Sequence, residues 1–467
     1  MVLKLYNTLT GRKEVFKPSS DIVKIYSCGP TVYAPPHIGN YRSFIVVDIL
    51  KRYLEFKGYK IKHVMNITDI DDKTIRESGR EGVSLKEFTD KYIKVFFNGL
   101  ETLNIKLADI YPRATENIED MVKLTKHLLN KGYAYYKSGS VYYDISRFKE
   151  YGKLSKIKLE DTGKYSTVEA DEYGKDDPRD FALLKASTSE EIRRGIYYLS
   201  EWGPVRPGWH IECAVMSMKY LDGLIDIHTG GVDLIFPHHE NEIALSEAFL
   251  GKRAVRYWVH SEHLLVNGEK MSKSAGNYYT LNDLLEKYKP QVIRYMLIST
   301  HYRRKLNFTI NSIRNAEHGY KKLIEAYDRA LHLLTVFKKE TGGVDGNQTL
   351  SDLKESFIAS MDDDLNTPLA LHVLHKLAVE VNKYVADNDL NNLEQGFKLL
   401  VELSEVLGLE YHGLKHVLNQ RIIDLIRERE DARKSKDWVK ADSIRDKLRS
   451  EGIILVDTPY GTRIVEE

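Results

Sequence analysis

The chain has 467 residues, 42% hydrophobic and 29% charged, with 69 Lys and Arg against 68 Asp and Glu for a net charge of +1. That length is too great for a single core and predicts about three domains, and the even charge balance excludes a broadly cationic nucleic-acid wrapper, so any nucleic-acid footprint must be local. No apolar run is long enough to cross a bilayer, and the first residues lack a basic stretch followed by an apolar core, so a cytoplasmic protein without membrane contact is expected.

In chain order, a short buried strand ends in Val23, Ile25 and Tyr26. Gly29 and Pro30 break it, and Pro35 and Pro36 keep the next residues out of a helix. From Ser43 to Phe56 apolar residues fall at helical spacing (Phe44, Val47, Ile49, Leu50, Tyr53, Leu54), a helix opened by residues 37–40. A strand, a tight loop and a helix N-terminus make a seat for phosphate, because free N–H groups and the helix dipole both favour an anion. Cys28 sits at the strand end and His37 at the helix start; a packed βα turn with an incidental thiol and imidazole fits the stretch equally. Residues 60–67 read as a second strand ending in a polar loop, 68–73 (TDIDDK), which is either a ligand loop at a sheet edge or a helix cap.

Residues 132–136 and 140–145 alternate like a hairpin, so 126–205 is expected to be an insertion with its own strands. Residues 207–216 start a helix, 224–228 form a buried strand, and 229–233 (TGGVD) form its loop. Another helix is expected from residue 235 with Pro237 near its first turn, then a last strand from Trp258 and a polar loop, 268–277 (GEKMSKSAGN). From 311 to about 408 Leu, Ile and Ala recur at helical spacing; beyond 420 come a charged helix pair and one strand over 452–458.

Two distant cysteines, Cys28 and Cys213, fit buried thiols or metal ligands better than a disulfide. His238 and Glu242, four apart on the expected helix, share a face, and a Cys₂-His-Glu set uses ligand types that zinc accepts. The competing reading makes residues 238–242 a solvated helix start. The pattern is not that of a zinc peptidase, and the cysteine spacing fits no zinc finger. Residues 270–274 (KMSKS) place two lysines and two hydroxyls on a Gly-flanked loop, either a polyphosphate clamp or a solvated basic turn. Between 411 and 450 stand eleven basic and seven acidic residues, with Trp438 among them, which fits base stacking or a charged helix pair with a packed Trp.

In combination, residues 37–40 (HIGN) and 270–274 (KMSKS) resemble the paired motifs of class I aminoacyl-tRNA synthetases. Residues 26–33 (YSCGPTVY), 66–73 (NITDIDDK), 206–213 (RPGWHIEC), 236–242 (FPHHENE), 361–368 (MDDDLNTP) and 432–446 (ARKSKDWVKADSIRD) narrow the resemblance to the cysteinyl-tRNA synthetase family, over nearly the whole chain. Two positions depart from it: Asn40, where many class I synthetases carry His, and Ile464, where Trp is expected.

The resemblance implies an α/β fold: a Rossmann-type parallel-sheet catalytic domain in two halves, 1–125 and 206–265, around the insertion 126–205. A stem with the lysine loop (266–310), an α-helical tRNA-binding bundle (311–410) and a small C-terminal α+β anticodon-binding domain (411–467) follow. It implies zinc on Cys28, Cys213, His238 and Glu242, and a cysteine pocket of Cys28, Thr68, Trp209 and His238. It implies ATP with Mg²⁺ held by His37, Asn40, Gly230, Gly231, Asp233, Lys270 and Lys273, of which His37, Asn40, Lys270 and Lys273 are catalytic. Arg433, Lys434, Lys436 and Trp438 would meet tRNA. The expected reaction, in a monomer, makes cysteinyl-adenylate and passes cysteine to tRNA(Cys), with zinc selecting the substrate as its thiolate. A cysteine ligase acting on an amino sugar would not need the helical region and basic tail. A binding protein without catalysis would not need the lysine loop and the four candidate ligands, and a small nucleotidyltransferase would leave half the chain unexplained.

Overall fold

The computed structural model describes residues 2–158, 175–177, 179–271, 276–337, 346–411, 420–451, 453–458 and 461–465. Two units divide it, residues 2–287 with 302–307, and residues 288–301 with 308–467.

In the first unit an antiparallel hairpin, β1 (Lys4–Asn7) and β2 (Arg12–Val15), leads to β3 (Ile22–Ser27). Val23, Ile25 and Tyr26 are wholly buried there, as apolar strand residues are when both faces of a parallel sheet are covered. α1 (Ile38–Phe56) follows, then β4 (Lys60–Met65), α2 (Asp72–Glu81), α3 (Leu85–Thr102) and α4 (Ile118–Asn130). α1 begins at Ile38, where a helix opened by residues 37–40 is expected, and His37 and Asn40 form a reciprocal capping box that satisfies its first amides.

A five-stranded antiparallel sheet comes next, ordered β5-β6-β7-β9-β8. Its strands are β5 (Ala134–Lys137), β6 (Ser140–Tyr143), β7 (Phe181–Ala186), β8 (Tyr198–Ser200) and β9 (Gly203–Pro207), with the short α5 (Ser189–Arg193) between β7 and β8. α6 (Trp209–Leu221), β10 (Ile225–Gly231), α7 (Glu240–Leu250) and β11 (Val255–Ser261) return the chain to the parallel sheet. Its order is β11-β10-β3-β4, every pairing parallel. The chain leaves β3 toward β4 and leaves β10 toward β11, in opposite directions from two neighbouring strands. Such a reversal opens a crevice at the carboxyl ends of the strands, where open α/β sheets bind ligands.

Two expectations need correction here. Thr229–Gly231 are not a loop but the last residues of β10, paired with β11 through Ser261. No regular helix runs from residue 235: a 3₁₀ turn (Val232–Leu234) and one wide turn with a kink at Phe236 and a cis Phe236–Pro237 bond precede α7.

Past β12 (Leu264–Val266), β13 (Glu269–Lys270) pairs back antiparallel, with α8 (Leu281–Leu285) beyond. The second unit begins with α9 (Pro290–Ile298); β14 (Leu306–Phe308) completes the β13-β12-β14 sheet. α10 (Ile310–Phe337), α11 (Gln348–Asp362), α12 (Thr367–Ala386) and α13 (Leu390–Val406) are the helices the spacing predicts. On α12, Ala370, Leu374, Leu377, Val381 and Val385 make a buried stripe at helical spacing. α14 (Gln420–Lys434) and α15 (Trp438–Ser450) follow, closed by a hairpin, β15 (Ile454–Thr458) and β16 (Gly461–Val465), where a single strand was expected. Their small core is Ile422, Ile426, Ile444, Leu448, Ile453 and Leu455. Among the described residues no helix is long and apolar enough to cross a membrane.

Candidate active site and metal centre

The crevice at the β3/β10 ends is a cleft of about 360 Å³. Its floor carries Cys28, Cys213, His238, Thr68 and Trp209; its rim carries His37, Asn40, Gly230, Gly231, Asp233 and Lys270. Chain segments far apart in sequence reach it because β3, β4, α6, β10 and α7 all end or begin there.

Cys28, Cys213 and His238 on the floor are joined by Glu242, which does not line the cleft, and one ligand atom from each of the four lies within 4.8 Å of the others. The two sulfurs are 3.8 Å apart and free, well beyond a disulfide bond of about 2.05 Å. A tetrahedron with metal–sulfur bonds of about 2.3 Å spans about 3.8 Å between sulfurs, so the pair is spaced for one ion. Cys28 Sγ stands 3.7 Å from Glu242 Oε1, near the tetrahedral edge of about 3.6 Å, while His238 Nε2 at 3.0 Å from that oxygen is at hydrogen-bond distance. Two thiols, an imidazole and a carboxylate are a donor set that suits zinc.

The alternative of a solvated helix start does not hold: His238, His239, Glu240 and Glu242 are at most 3% exposed. Burial would raise the Glu242 carboxyl, but His228 and His238 outweigh it and hold it well below the usual range. His238 moves up: burial disfavours its charge, yet the Glu242 carboxylate and Cys213 prevail. Burial raises the Cys28 thiol, and the Cys213 sulfur raises it further; Cys213 falls, because hydrogen bonds with Cys28 and His238 overcome burial.

A second layer of histidines, which spacing in the sequence did not single out, stands behind these four. His239 Nε2 is 3.3 Å from Cys28 Sγ, its Nδ1 is 2.7 Å from His260 Nε2, and His260 Nδ1 is 2.8 Å from Thr8 Oγ1. Burial keeps His239 and His260 neutral. With Cys28 as thiolate, Thr8 donates to His260, His260 to His239, and His239 to the sulfur. His228 holds the other carboxylate oxygen of Glu242 at 2.9 Å and stacks on Trp258. Cys28, His228, His239 and Glu242 form an overlapping candidate set, but it offers one sulfur and its imidazoles lie outside the cleft lining. The only hint in the sequence was the doubled histidine at 238–239.

Glu212 was missed as well. It is wholly buried, and its Oε2 accepts from the Thr68 hydroxyl at 2.8 Å. Burial, reinforced by Cys213, raises its carboxyl well above the usual range. Trp209 is not packed in the core; it stacks on His238 with ring centroids 4.2 Å apart.

On the rim, His37 Nδ1 accepts from the Asn40 backbone N–H at 3.2 Å, and Asn40 Oδ1 accepts from His37 N–H at 3.0 Å. Burial lowers the His37 pKa despite Asp233 nearby, so the neutral ring carries its proton on Nε2, a donor at the head of α1. The Asn40 amide keeps its two N–H donors. Gly230 admits no side chain, since a Cβ would lie 2.6 Å from the buried His239 ring, and a Cβ on Gly231, 2.3 Å from Asp233 Oδ1, would push that exposed carboxylate aside. Lys270 is exposed on β13, and Lys273 lies outside the described residues.

In the tail, Arg433 pairs with Asp457, Lys434 Nζ lies 4.0 Å from Asp431, and Lys436 sits at φ +60° in the α14–α15 turn. Trp438 opens α15 and is 56% exposed, so it does not pack in a mini-core.

Three family models match the chain: a tRNA synthetases class I (C) catalytic domain over residues 15–318, a DALR domain over 356–411, and a cysteinyl-tRNA ligase anticodon binding domain over 416–461. The chain is 50% identical over 467 residues to the cysteine–tRNA ligase of Methanosarcina mazei, covering 99% of both. It is 43% identical over 474 residues to that of Thermococcus gammatolerans, covering 99% of this chain and 98% of the relative. In fold it is similar to Mycobacterium tuberculosis methionyl-tRNA synthetase with methionyl-adenylate (TM-score 0.61, 15% identity, 83% and 89% of the two chains). It is similar also to LeuRS of Agrobacterium radiobacter in a ternary complex with tRNA and LeuAMS (TM-score 0.60, 12% identity, 84% and 85%).

Proposed function

Since the chain belongs to the cysteine–tRNA ligase family of class I aminoacyl-tRNA synthetases, which charge tRNA with cysteine at the expense of ATP, we propose that it does so through a cysteinyl-adenylate formed in this cleft, with zinc selecting the amino acid by its sulfur. The observation that carries this reading is the convergence of Cys28, Cys213, His238 and Glu242, the first three lining a cleft that His37, Asn40 and Lys270 also line. These four residues would hold zinc, which would supply a Lewis acid suited to a thiolate and poorly matched to a serine hydroxyl, which stays protonated.

The chain's own residues do the rest. Thr68 and Trp209 line the pocket beside the candidate ligands and orient the amino acid. His37 through Nε2–H and Asn40 through its amide N–H donate to phosphate oxygens at the positive end of α1. Gly230, Gly231 and Asp233 hold adenine and ribose, and Lys270 and Lys273 close over the polyphosphate with its Mg²⁺. The substrate carboxylate is already a nucleophile, so these groups position it against the α-phosphate and stabilise the charge that develops there. The cysteinyl group then moves to the terminal ribose of tRNA(Cys), whose anticodon Arg433, Lys434, Lys436 and Trp438 contact on a monomeric enzyme.

The test is ATP–pyrophosphate exchange stimulated by cysteine, then transfer of labelled cysteine to tRNA, on zinc-loaded protein. Cysteine-dependent exchange with transfer, and little exchange with serine, is the expected result. Serine activated as well as cysteine with zinc bound would remove zinc from the selection step, and exchange without transfer would point to a small-molecule acceptor.

A further inference from the structure

The start of α7 carries two candidate ligands, His238 just before the helix and Glu242 in its first turn. His239 stands at the N-cap position and makes no side-chain cap bond, and the turn ahead of it is kinked at Phe236. An uncapped helix end on a kinked lead-in takes its place from contacts made elsewhere in the fold. His238 and Glu242, four apart, share the side of the metal cluster. Glu240 and Asn241, between them in sequence, bond instead to residues 151–155 of the insertion, in the stretch that follows β6.

The Glu240 side chain is wholly buried and gathers three backbone amides. Its Oε1 accepts from Gly152 N–H at 2.9 Å, and its Oε2 accepts from Leu154 N–H at 3.1 Å and from Ser155 N–H at 2.7 Å. A backbone N–H can only donate, so both oxygens are used as acceptors. Beside them the Tyr151 hydroxyl donates to Asn241 Oδ1. The cradle is closed on itself: Lys156 N–H donates to Gly152 O at 2.9 Å, Gly152 has φ +93°, and a Cβ there would lie 2.1 Å from the Ile157 carbonyl oxygen. The insertion also reaches α7 further along, from Tyr143 to the Ala244 carbonyl at 3.1 Å and from Lys153 to Glu247. Those two ties lie beyond the turn that bears Glu242.

We propose that Glu240 is a positioning residue of the metal centre: through the amides of residues 152–155 it fixes the turn that presents His238 and Glu242, and so makes the insertion part of the framework of the site. This rests on the reading of Cys28, Cys213, His238 and Glu242 as zinc ligands, and it adds that the insertion and the metal are linked. Such linkage is reciprocal: a cradle that favours zinc is itself favoured by zinc.

The test uses full-length protein with and without zinc. Competition with a chromophoric chelator reads zinc affinity, and hydrogen exchange reads the backbone of residues 150–157. In the wild type this stretch should exchange more slowly once zinc is bound. In Glu240→Gln only one oxygen is left to accept, and the NH₂ opposes either the Gly152 N–H or the Leu154 and Ser155 pair. Zinc should then bind about threefold to tenfold more weakly, the range of one net hydrogen bond, and the slowing of exchange by zinc should be lost. Tyr151→Phe keeps the ring and removes the bond to Asn241, and should weaken zinc in the same direction. Lys153→Met cuts a tie to a later turn of α7, and should lower the melting temperature while zinc affinity stays within about twofold. Unchanged zinc affinity in Glu240→Gln would overturn the proposal. So would an equal loss in Lys153→Met at a matched fall in melting temperature, which would reduce the effect to general stability. If Glu240→Gln does not fold, Tyr151→Phe and the effect of zinc on wild-type exchange decide. Wild-type protein that binds no zinc would instead overturn the reading of the four residues as ligands.

Discussion

Replacing Gly230 with Ala should disturb the proposed metal centre from the proposed nucleotide side of the cleft. Gly230 lies near the end of β10, and a Cβ there would stand 2.6 Å from Cε1 and 3.1 Å from Nε2 of His239, and 2.9 Å from Cδ1 of Leu234. Ordinary carbon–carbon contact is about 3.5–4.0 Å, so the imidazole must retreat by roughly 1 Å. It has little room to do so. The ring is wholly buried, with the rings of His228, His260 and Trp258 centred 4.7, 5.0 and 5.1 Å away. Its nitrogens are engaged with Cys28 and His260. Overpacking of this kind costs about 1–3 kcal/mol. Moving Nε2 off the Cys28 sulfur also removes an outer support of a ligand, worth about 10–100-fold in metal affinity. Thermal unfolding should fall by several degrees, at about 2–4 °C per kcal/mol. Competition with a chromophoric chelator should show zinc bound at least about tenfold more weakly. A Gly230→Ala protein with zinc affinity within about twofold of wild type and unchanged melting would refute the claim that the two sides of the cleft share this wall.

Three further outcomes are expected. His260→Phe breaks the relay behind Cys28 while keeping a buried ring, and should weaken zinc by about 10–100-fold in the same chelator assay with a much smaller effect on folding. Lys273→Ala should sharply slow pyrophosphate exchange with zinc content unchanged; normal exchange would remove Lys273 from the mechanism. Asp72 holds Lys185 at 2.9 Å and Arg206 across from the insertion sheet. Burial would raise its pKa, but Arg206 and Lys185 hold it below the usual carboxylate range. A depressed folded pKa gives stability that is fully present above the unfolded pKa of about 3.9 and lost as pH falls through the folded value. Asp72→Asn should therefore be less stable at pH 7, by about 1–2 kcal/mol after discounting for the exposure of Asp72, and the gap should close below about pH 4.

The α/β architecture was legible because strand and helix periods differ and because Gly and Pro punctuate them. β3 and α1 follow from Val23, Ile25, Tyr26 and the Phe44–Leu54 spacing. The start of α1 at residues 37–38 was legible from the prolines before it, although the cap itself, the Asn40 side chain bonded back to His37, leaves no mark in the apolar period. The turn before α7 was misread because a local i,i+4 pattern suggested a regular helix, whereas tertiary packing buries a kinked wide turn there. Cys28, Cys213, His238 and Glu242 were named from ligand chemistry and resemblance, but their meeting depends on strand order, which spacing does not encode. His228, His239, His260 and Glu212 stayed hidden for the same reason. Each lies on an element whose period explains it as ordinary core, and its role depends on a neighbour at least 14 residues away or on another strand.

The position of the histidine layer has a mechanical consequence. β10 is one strand wide, and both halves of the cleft lean on its end: Cys28 N–H donates to the Thr229 carbonyl at 3.2 Å, and Gly230 abuts His239. His239 in turn touches the Cys28 sulfur. A shift at Gly230 is therefore passed through two contacts to a candidate metal ligand, because a packed imidazole held at both nitrogens transmits displacement rather than absorbing it. The proposed nucleotide side and the proposed sulfur side of this cleft therefore meet through the His239 ring. Substitutions at Thr229, Gly230 or His239 should consequently change KM for ATP and KM for cysteine together, whereas substitution of Thr68, which lines the cleft from the loop after β4, should change KM for cysteine alone.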